Sequence, residues 1–318
     1  MKCLILAGGF ATRLWPLTKD KPKPLLRIKG KPIITHIVNK VPAKFEIVVS
    51  TNKRFEKDFI DWKESLDKNI ELFIENSRKD KEKLGAVGAL NYFIKKEKLK
   101  EDLLVIAGDN YFEFSLKEFL SYYRNKPLIA IHDVHDKDKA KRYGVVKVSN
   151  NKIIGFEEKP ERPETSLIST AIYLLPVKCF SHLDDFCSIR RDNLGEFIKY
   201  LMKKEDIMAS EFDGLWFDIG NFESYLKAHI KITKTVIKEE GSRINNSFLQ
   251  GSVYIGRNTR ISGSLVKDSI IMDDSLVENS TIKDSIIDAK TIIKDSRVSF
   301  NYINMKSVVV NDDDQYRE

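Results

Sequence analysis

The strongest constraint on the fold is a short-period repeat in the last quarter of the chain. Ser264, Ser269, Ser275, Ser280, Ser285, Thr291 and Ser296 recur at spacings of five or six. An apolar residue or pair follows each: Leu265/Val266, Ile270/Ile271, Leu276/Val277, Ile282, Ile286/Ile287, Ile292/Ile293 and Val298. Every third member completes one constant longer step, as in 264 to 280 and 280 to 296. Three short strands with tight corners make one triangular coil, with small hydroxylated residues at the corners and Ile or Val stacked inside. The pattern predicts a parallel β-helix. A sandwich would show wider strand spacing and clearer hairpin turns. The closing NDDDQYRE, at 311–318, is polar and is expected to fray or to cap the last coil.

Upstream the pattern changes. KCLIL at 2–6, FEIVVS at 45–50 and LLVIAG at 103–108 are short apolar runs. Phe55, Phe59, Trp62 and Leu66 recur between them at helical spacing, as do Leu116, Phe119, Leu120 and Tyr123 further on. Strands alternating with helices predict an α/β domain with a mainly parallel sheet, whose ligands lie beyond the carboxyl ends of the strands. After position 125 the strand candidates are LIAIHDV at 128–134, YGVVKVS at 143–149, KIIGFEE at 152–158 and LISTAIYLL at 167–175. Asn150 and Asn151 between the second and third are a hairpin signal. Helical periodicity returns at 193–203 and 221–235. These readings divide the chain into a domain at 1–237, a β-helix at 241–310 opened by Gly241, and a polar tail at 311–318.

Of the 318 residues, 42% are hydrophobic, enough for one to three domains. Lys and Arg number 54 against 47 Asp and Glu, a formal charge of +7. Residues 241–318 hold ten basic and eleven acidic side chains, so the surplus lies upstream. That suits a site for phosphorylated small molecules, and a solvated Lys-rich surface accounts for it equally well. No aromatic-basic groove pattern marks a nucleic-acid binder. No run of 18 apolar residues and no leader-like segment appear, so neither a membrane span nor export is expected. Cys3, Cys179 and Cys187 lack metal-like spacing; Cys3 reads as core and the others as free thiols, pointing to the cytoplasm. None of the five histidines, 36, 132, 135, 182 and 229, has metal-binding spacing, His36 reads as core, and there is no GxSxG.

Five segments carry chemistry. In LAGGFATRLWPLTKDKPKPLL, residues 6–26, Gly8 and Gly9 follow a buried strand and precede Ala11 and Thr12. A backbone without bulky side chains can pass close to phosphate and cradle it with N–H groups. Arg13 adds a planar guanidinium and Lys23 a compact, mobile charge. A tight turn and surface charges explain these residues singly; their concentration in one segment favours phosphate. The required spacings of the Rossmann and Walker loops are absent. Asp109, after an apolar strand, is placed to hold Mg²⁺, and Asp218 in LWFDIGN is a second ligand candidate; a helix cap or Asx-turn is the alternative for both. In FEEKP, 156–160, Glu158 suits sugar hydroxyls and Lys159 a sugar phosphate, or both are solvated charges. In LGAVGAL, 84–90, Gly85 either lets a base approach the backbone or simply starts a helix.

Together these segments resemble the glucose-1-phosphate thymidylyltransferase family of nucleotide-sugar pyrophosphorylases. The matching pieces are LAGGFATRLWPLTKDKPKPLL, LGAVGAL, GDN at 108–110, YGVV at 143–146, FEEKP and WFDIGN at 216–221, and they occur in the family's order. The tail resembles the left-handed β-helix appended to many relatives. The resemblance implies a Rossmann-like nucleotidyltransferase domain that joins dTTP or UTP to glucose 1-phosphate and releases pyrophosphate. It implies Leu6, Ala7, Gly8, Gly9, Thr12 and Gly85 about the nucleotide, with Arg13 and Lys23 on the triphosphate. Asp109 and Asp218 would bind Mg²⁺. Gly144, Glu158, Lys159 and Thr170 would form the sugar-phosphate site, although Thr170 stands where many relatives carry Asn, and EKLGAVGAL where many read EPLGTAGAL. Mannose-1-phosphate guanylyltransferase is the alternative, and a non-catalytic nucleotide sensor a further one. Acetyl transfer by the tail is disfavoured because residues 241–318 contain no His. Its repeats favour a homo-oligomer.

Overall fold

The computed structural model describes residues 1–312, so the tail expected at 311–318 falls mostly outside the described residues. The chain forms two compact units. The first comprises Met1–Phe10 and Ile34–Trp216; the second comprises Ala11–Ile33 and the chain from Phe217 onward.

The first unit is built on nine strands: β1 Lys2–Leu6, β2 Glu46–Asn52, β3 Ile70–Glu75, β4 Leu103–Ala107, β5 Leu128–Asp133, β6 Gly144–Ser149, β7 Lys152–Glu158, β8 Leu167–Leu175 and β9 Met208–Glu211. Their order across the sheet is β3-β2-β1-β4-β8-β5-β9-β7-β6. Strands β3, β2, β1 and β4 run parallel, and β8 lies antiparallel to both β4 and β5. Cys3, Leu4 and Ile5 are fully buried because β1 has neighbours on both sides. The hairpin between β6 and β7 turns on Asn150 (φ 50) and Asn151 (φ 59), the left-handed pair that Asn tolerates. Strand β8 breaks register between Ser169 and Tyr173, with Ala171 at φ 58.

Helix Ala86–Lys96 buries Val87, Leu90, Phe93 and Ile94, a helical stripe, against the sheet residues Leu4, Val48 and Val105. Helices Cys179–Ile189 and Leu194–Leu201 join the same core through Leu183, Phe186, Phe197 and Leu201. All three cysteines are buried and free. Among the described residues no helix is long and apolar enough to cross a membrane.

In the second unit, helix Phe222–Thr233 starts at Asn221, whose side chain accepts from Ser224 N at 2.8 Å. The chain then winds into three stacked parallel sheets of five, five and four short strands, a left-handed β-helix. Each rung lies over its counterpart one coil later, as in Leu265 over Thr281 and Thr281 over Arg297. The first coil is slightly longer, with Arg243 over Arg260 and Phe248 over Leu265. Ile261, Val266, Ile271, Val277, Ile282, Ile287, Ile293 and Val298 fill the interior.

The corner serines do more than fit. Ser280 Oγ donates to Glu278 O at 2.6 Å and accepts from Ser296 N at 3.1 Å; Ser264, Ser269, Ser285 and Ser296 repeat both bonds. Each coil therefore caps the next through one hydroxyl. The residue before each corner hydroxyl is left-handed: Asp268, Asp274, Asn279, Asp284, Lys290 and Asp295 all have φ between 45° and 61°. After Gly, Asn and Asp tolerate that conformation best.

Candidate active site

In the first unit the candidate residues collect at the carboxyl ends of the parallel strands. Leu6, the last residue of β1, pairs with Ser50 and Ala107. Ala7 N donates to Ser50 O at 2.8 Å, and Asn52 Nδ2 donates to Gly8 O at 2.9 Å. A Cβ on Gly8 would stand 2.7 Å from Glu75 Oε1, so a side chain there would have to displace the Glu75 carboxylate. Nothing lies within 4 Å of the Cβ position at Gly9, which is exposed. Glu75 is only 3% exposed and accepts the Ser50 hydroxyl at 2.7 Å. Burial pushes its carboxyl up, opposed by that hydrogen bond.

Asp109 enters from β4. Gly108 N donates to Leu6 O at 2.9 Å, and a Cβ on Gly108 would also lie 2.9 Å from that oxygen. The end of β4 thus presses against the end of β1, and Asp109, half-buried, comes out beside the glycine loop. Asn110 Nδ2 donates to Thr170 O at 2.9 Å. Thr170 itself is fully buried and gives its hydroxyl to Ala130 O at 2.7 Å, so its side chain is engaged inside the sheet.

A second group surrounds Glu158. Gly144 and Glu158 face each other across the β6–β7 ladder, and a Cβ on Gly144 would collide with the Phe156 ring and approach Glu158 Oε2 to 3.1 Å. From the other side, a Cβ on Gly195 would overlap Glu158 Oε2. The carboxylate is therefore wedged between two glycines. Burial raises its pKa; a hydrogen bond with Asn193 and the Lys159 charge oppose the rise. Lys159, left-handed at φ 48 and exposed, holds Nζ 3.8 Å from Glu158 Oε1. Asn193 also caps helix Leu194–Leu201, accepting from Glu196 N at 3.1 Å. Sequence reading found Gly144, Glu158 and Lys159 but not Asn193, Gly195 or Glu75. The Asn-Leu-Gly-Glu cap ahead of the helix was the available signal for the first two.

Gly85 is the N-cap of helix Ala86–Lys96 at φ 75, and a Cβ there would overlap the Arg191 carbonyl. That carbonyl accepts from Gly88 N at 2.9 Å. Here the glycines serve a close backbone crossing within the unit.

In the second unit, Ala11 turns left-handed at φ 48, and its carbonyl accepts from the buried Thr18 hydroxyl at 2.8 Å. This fixes the turn Thr12–Leu14, from which Thr12 and Arg13 extend into solvent. Lys23 opens a second short turn, Lys23–Leu25, set by Pro22 and Pro24. The segment is tied down beyond it: Arg27 pairs with Glu239 at 2.8 Å, and Tyr225 Oη donates to Arg27 O at 2.8 Å. Asp218 precedes helix Phe222–Thr233, and its carbonyl accepts from Gly220 N at 3.1 Å.

Among the described residues no three His, Cys, Asp or Glu side chains form a metal-binding group. Mg²⁺ asks for less than such a group: it is a hard cation usually held by one or two carboxylates together with substrate phosphates and water.

Comparison with known proteins bears on this chemistry. The model of the family described as nucleotidyl transferase matches residues 2–235. A Sulfolobus acidocaldarius protein assigned as a mannose-1-phosphate guanyltransferase is 31% identical over 280 residues, covering 85% of this chain and 76% of that one. The bifunctional protein GlmU of Methanocaldococcus jannaschii is 30% identical over 259 residues, covering 80% of this chain. The match spans only 60% of GlmU's own length. A Bacillus anthracis crystal structure, described as a glucose-1-phosphate thymidylyltransferase in complex with a sucrose, aligns with a TM-score of 0.64 and 26% identity. It covers 74% of this chain and 96% of its own.

Proposed function

The chain belongs to the nucleotidyl transferase family and is a sugar-phosphate nucleotidyltransferase; from that premise we propose that dTTP or UTP and glucose 1-phosphate are its substrates. The sugar-phosphate half of the reading is carried by the Glu158 carboxylate, wedged against Gly144 and Gly195 beside Lys159. A carboxylate accepts from sugar hydroxyls, and an adjacent ammonium neutralises phosphate. The pyrimidine and glucose preference is supported by the likeness to the Bacillus anthracis structure. Guanylyl transfer to mannose 1-phosphate is a second reading, favoured by the Sulfolobus acidocaldarius relative.

In the reaction, an oxygen of the sugar phosphate bonds to the nucleotide α-phosphorus. The bridging bond from that phosphorus to the β-phosphate oxygen breaks, and its electron pair leaves with pyrophosphate. The nucleophile is already anionic near neutral pH and needs no strong base. Repulsion between two anions is the physical problem. We assign Leu6, Ala7, Gly8, Gly9, Thr12 and Gly85 to the nucleotide, and Arg13 and Lys23 to its phosphates. Gly144, Glu158 and Lys159 hold the sugar phosphate, with Thr170 contributing through its backbone. Asp109 and Asp218 would hold Mg²⁺, which would supply positive charge to the phosphates. The chemistry belongs to residues 1–237. The coils at 241–310 stiffen the molecule and support a homo-oligomer, and the cytoplasm is the proposed compartment.

Pyrophosphate release, measured for dTTP, UTP, GTP, CTP and ATP against glucose 1-phosphate and mannose 1-phosphate, tests this reading. The highest kcat/KM is expected for dTTP or UTP with glucose 1-phosphate. GTP with mannose 1-phosphate as the best pair selects the second reading, and no release with any pair overturns turnover itself. Lys159→Ala is expected to raise KM for the sugar phosphate about tenfold or more while leaving that for the nucleotide nearly unchanged.

A further inference from the structure

Within the second unit a half-open cavity of ≈ 140 Å³ lies between the segment that carries Lys23 and one corner of the β-helix. Leu17, Leu26, Tyr225, Tyr254, Met272 and Met305 are among the residues that line it. Tyr254 is 5% exposed, and its ring is part of the cavity lining. Burial pushes this phenol up, so the group stands ready as a neutral donor and acceptor.

We propose that this cavity is a binding site for one neutral, planar, six-membered ring with a hydrogen-bonding edge, the size and chemistry of a free pyrimidine base. Size comes first: a cavity of about 150 Å³ accepts benzene. Tyrosine rings and methionine sulfurs suit the faces and edges of such a ring. The Tyr254 hydroxyl supplies the polar contact. Charge argues against an anion, because three carboxylates, Asp20, Asp273 and Asp288, line the cavity against Lys21 and Arg27, and Arg27 is paired with Glu239 at 2.8 Å. An attached phosphate therefore weakens binding. Leu17 and Leu26 flank the Lys23–Leu25 turn, so an occupant braces the segment that carries Lys23. This coupling, unlike the binding itself, rests on the role proposed above for Lys23.

Binding is read on the full chain by calorimetry and ligand-observed NMR with uracil, uridine and UMP. KM for the best nucleoside triphosphate is measured with and without uracil. Uracil and uridine are expected to bind saturably at millimolar concentration or below, and UMP more weakly than uridine. Ala289→Leu, which fills the space, is expected to lower affinity about tenfold or more. Tyr254→Phe is expected to lower it about fivefold, the worth of one hydrogen bond. Uracil should shift KM in the wild type and not in Ala289→Leu. Absence of saturable binding, UMP binding as tightly as uridine, or wild-type affinity in both variants overturns the assignment. Saturable binding without a KM shift overturns the coupling alone. A chain that turns over no substrate pair sinks the enzymatic reading while the binding arm is still read.

Discussion

Glu158 occupies a gap that exists only because Gly144 and Gly195 carry no side chains. Burial holds its carboxyl above the usual range. Folding therefore favours the protonated form: this contribution is in place below the unfolded pKa and is lost as pH rises through the folded one. Glu158→Gln keeps the shape without the charge. It is expected to leave the melting temperature at neutral pH unchanged or higher, while raising KM for the sugar phosphate about tenfold. A lower melting temperature with unchanged KM would contradict the role. Half of this group was legible in the sequence, because Gly144, Glu158 and Lys159 sit in short runs on adjacent strands. Gly195 and Asn193 reach Glu158 only through packing of a later helix, which no local period encodes. The same holds for Glu75, at the end of a strand whose mixed ELFIE pattern carries little signal.

At the scale of elements, the corner serines carry a definite load. Ser280→Ala removes the acceptor for Ser296 N and the donor to Glu278 O inside the stack. It is expected to cost about 1–3 kcal/mol in denaturant unfolding, whereas Lys283→Ala on an exposed strand position should cost under about 0.5 kcal/mol. Helix Phe222–Thr233 is fastened to the first coil in the same way: Ser252 Oγ donates to Ile230 O at 2.8 Å and accepts from Lys234 N at 3.0 Å. His229, 1% exposed, completes the joint, with Nε2 3.1 Å from Ser252 O and Nδ1 3.2 Å from Thr233 Oγ1. A carbonyl can only accept, so Nε2 carries the proton and Nδ1 takes the threonine's. Burial lowers the His229 pKa to about 4. A depressed histidine stabilises above its unfolded pKa, near 6.5, and that contribution drains away as pH falls through the folded value. Stability is thus expected to drop by about 3 kcal/mol between those two pH values. Thermal melts of His229→Gln should lose this part of the acid dependence. The β-helix was readable because its hydroxyl ladder recurs once per coil along each corner. The left-handed residue before each hydroxyl, Asn or Asp at most corners, was equally periodic, but its meaning depends on a backbone angle.

The whole molecule divides where the sequence gives no warning. Residues 11–33, which belong to the most recognisable motif in the chain, pack with the helix and coils at the other end of the sequence. The Arg27–Glu239 pair and the Tyr225 bond to Arg27 O are two of the ties. Local pattern places this segment with the strand it follows, and only long-range contact assigns it elsewhere. Truncation after residue 238 removes Glu239 and the coils together. It is expected to strip amide-exchange protection from residues 11–33 and to lower kcat/KM at least about tenfold. Retained protection in the truncated chain would show that the segment is held by other means.

This division also bears on how the chain is made. Residues 11–33 leave the ribosome well before the helix and coils they pack against. Until then the nascent chain can assemble its large sheet with its motif unmoored. Any role of Arg13 and Lys23 that needs a fixed segment would then wait until the coils have followed.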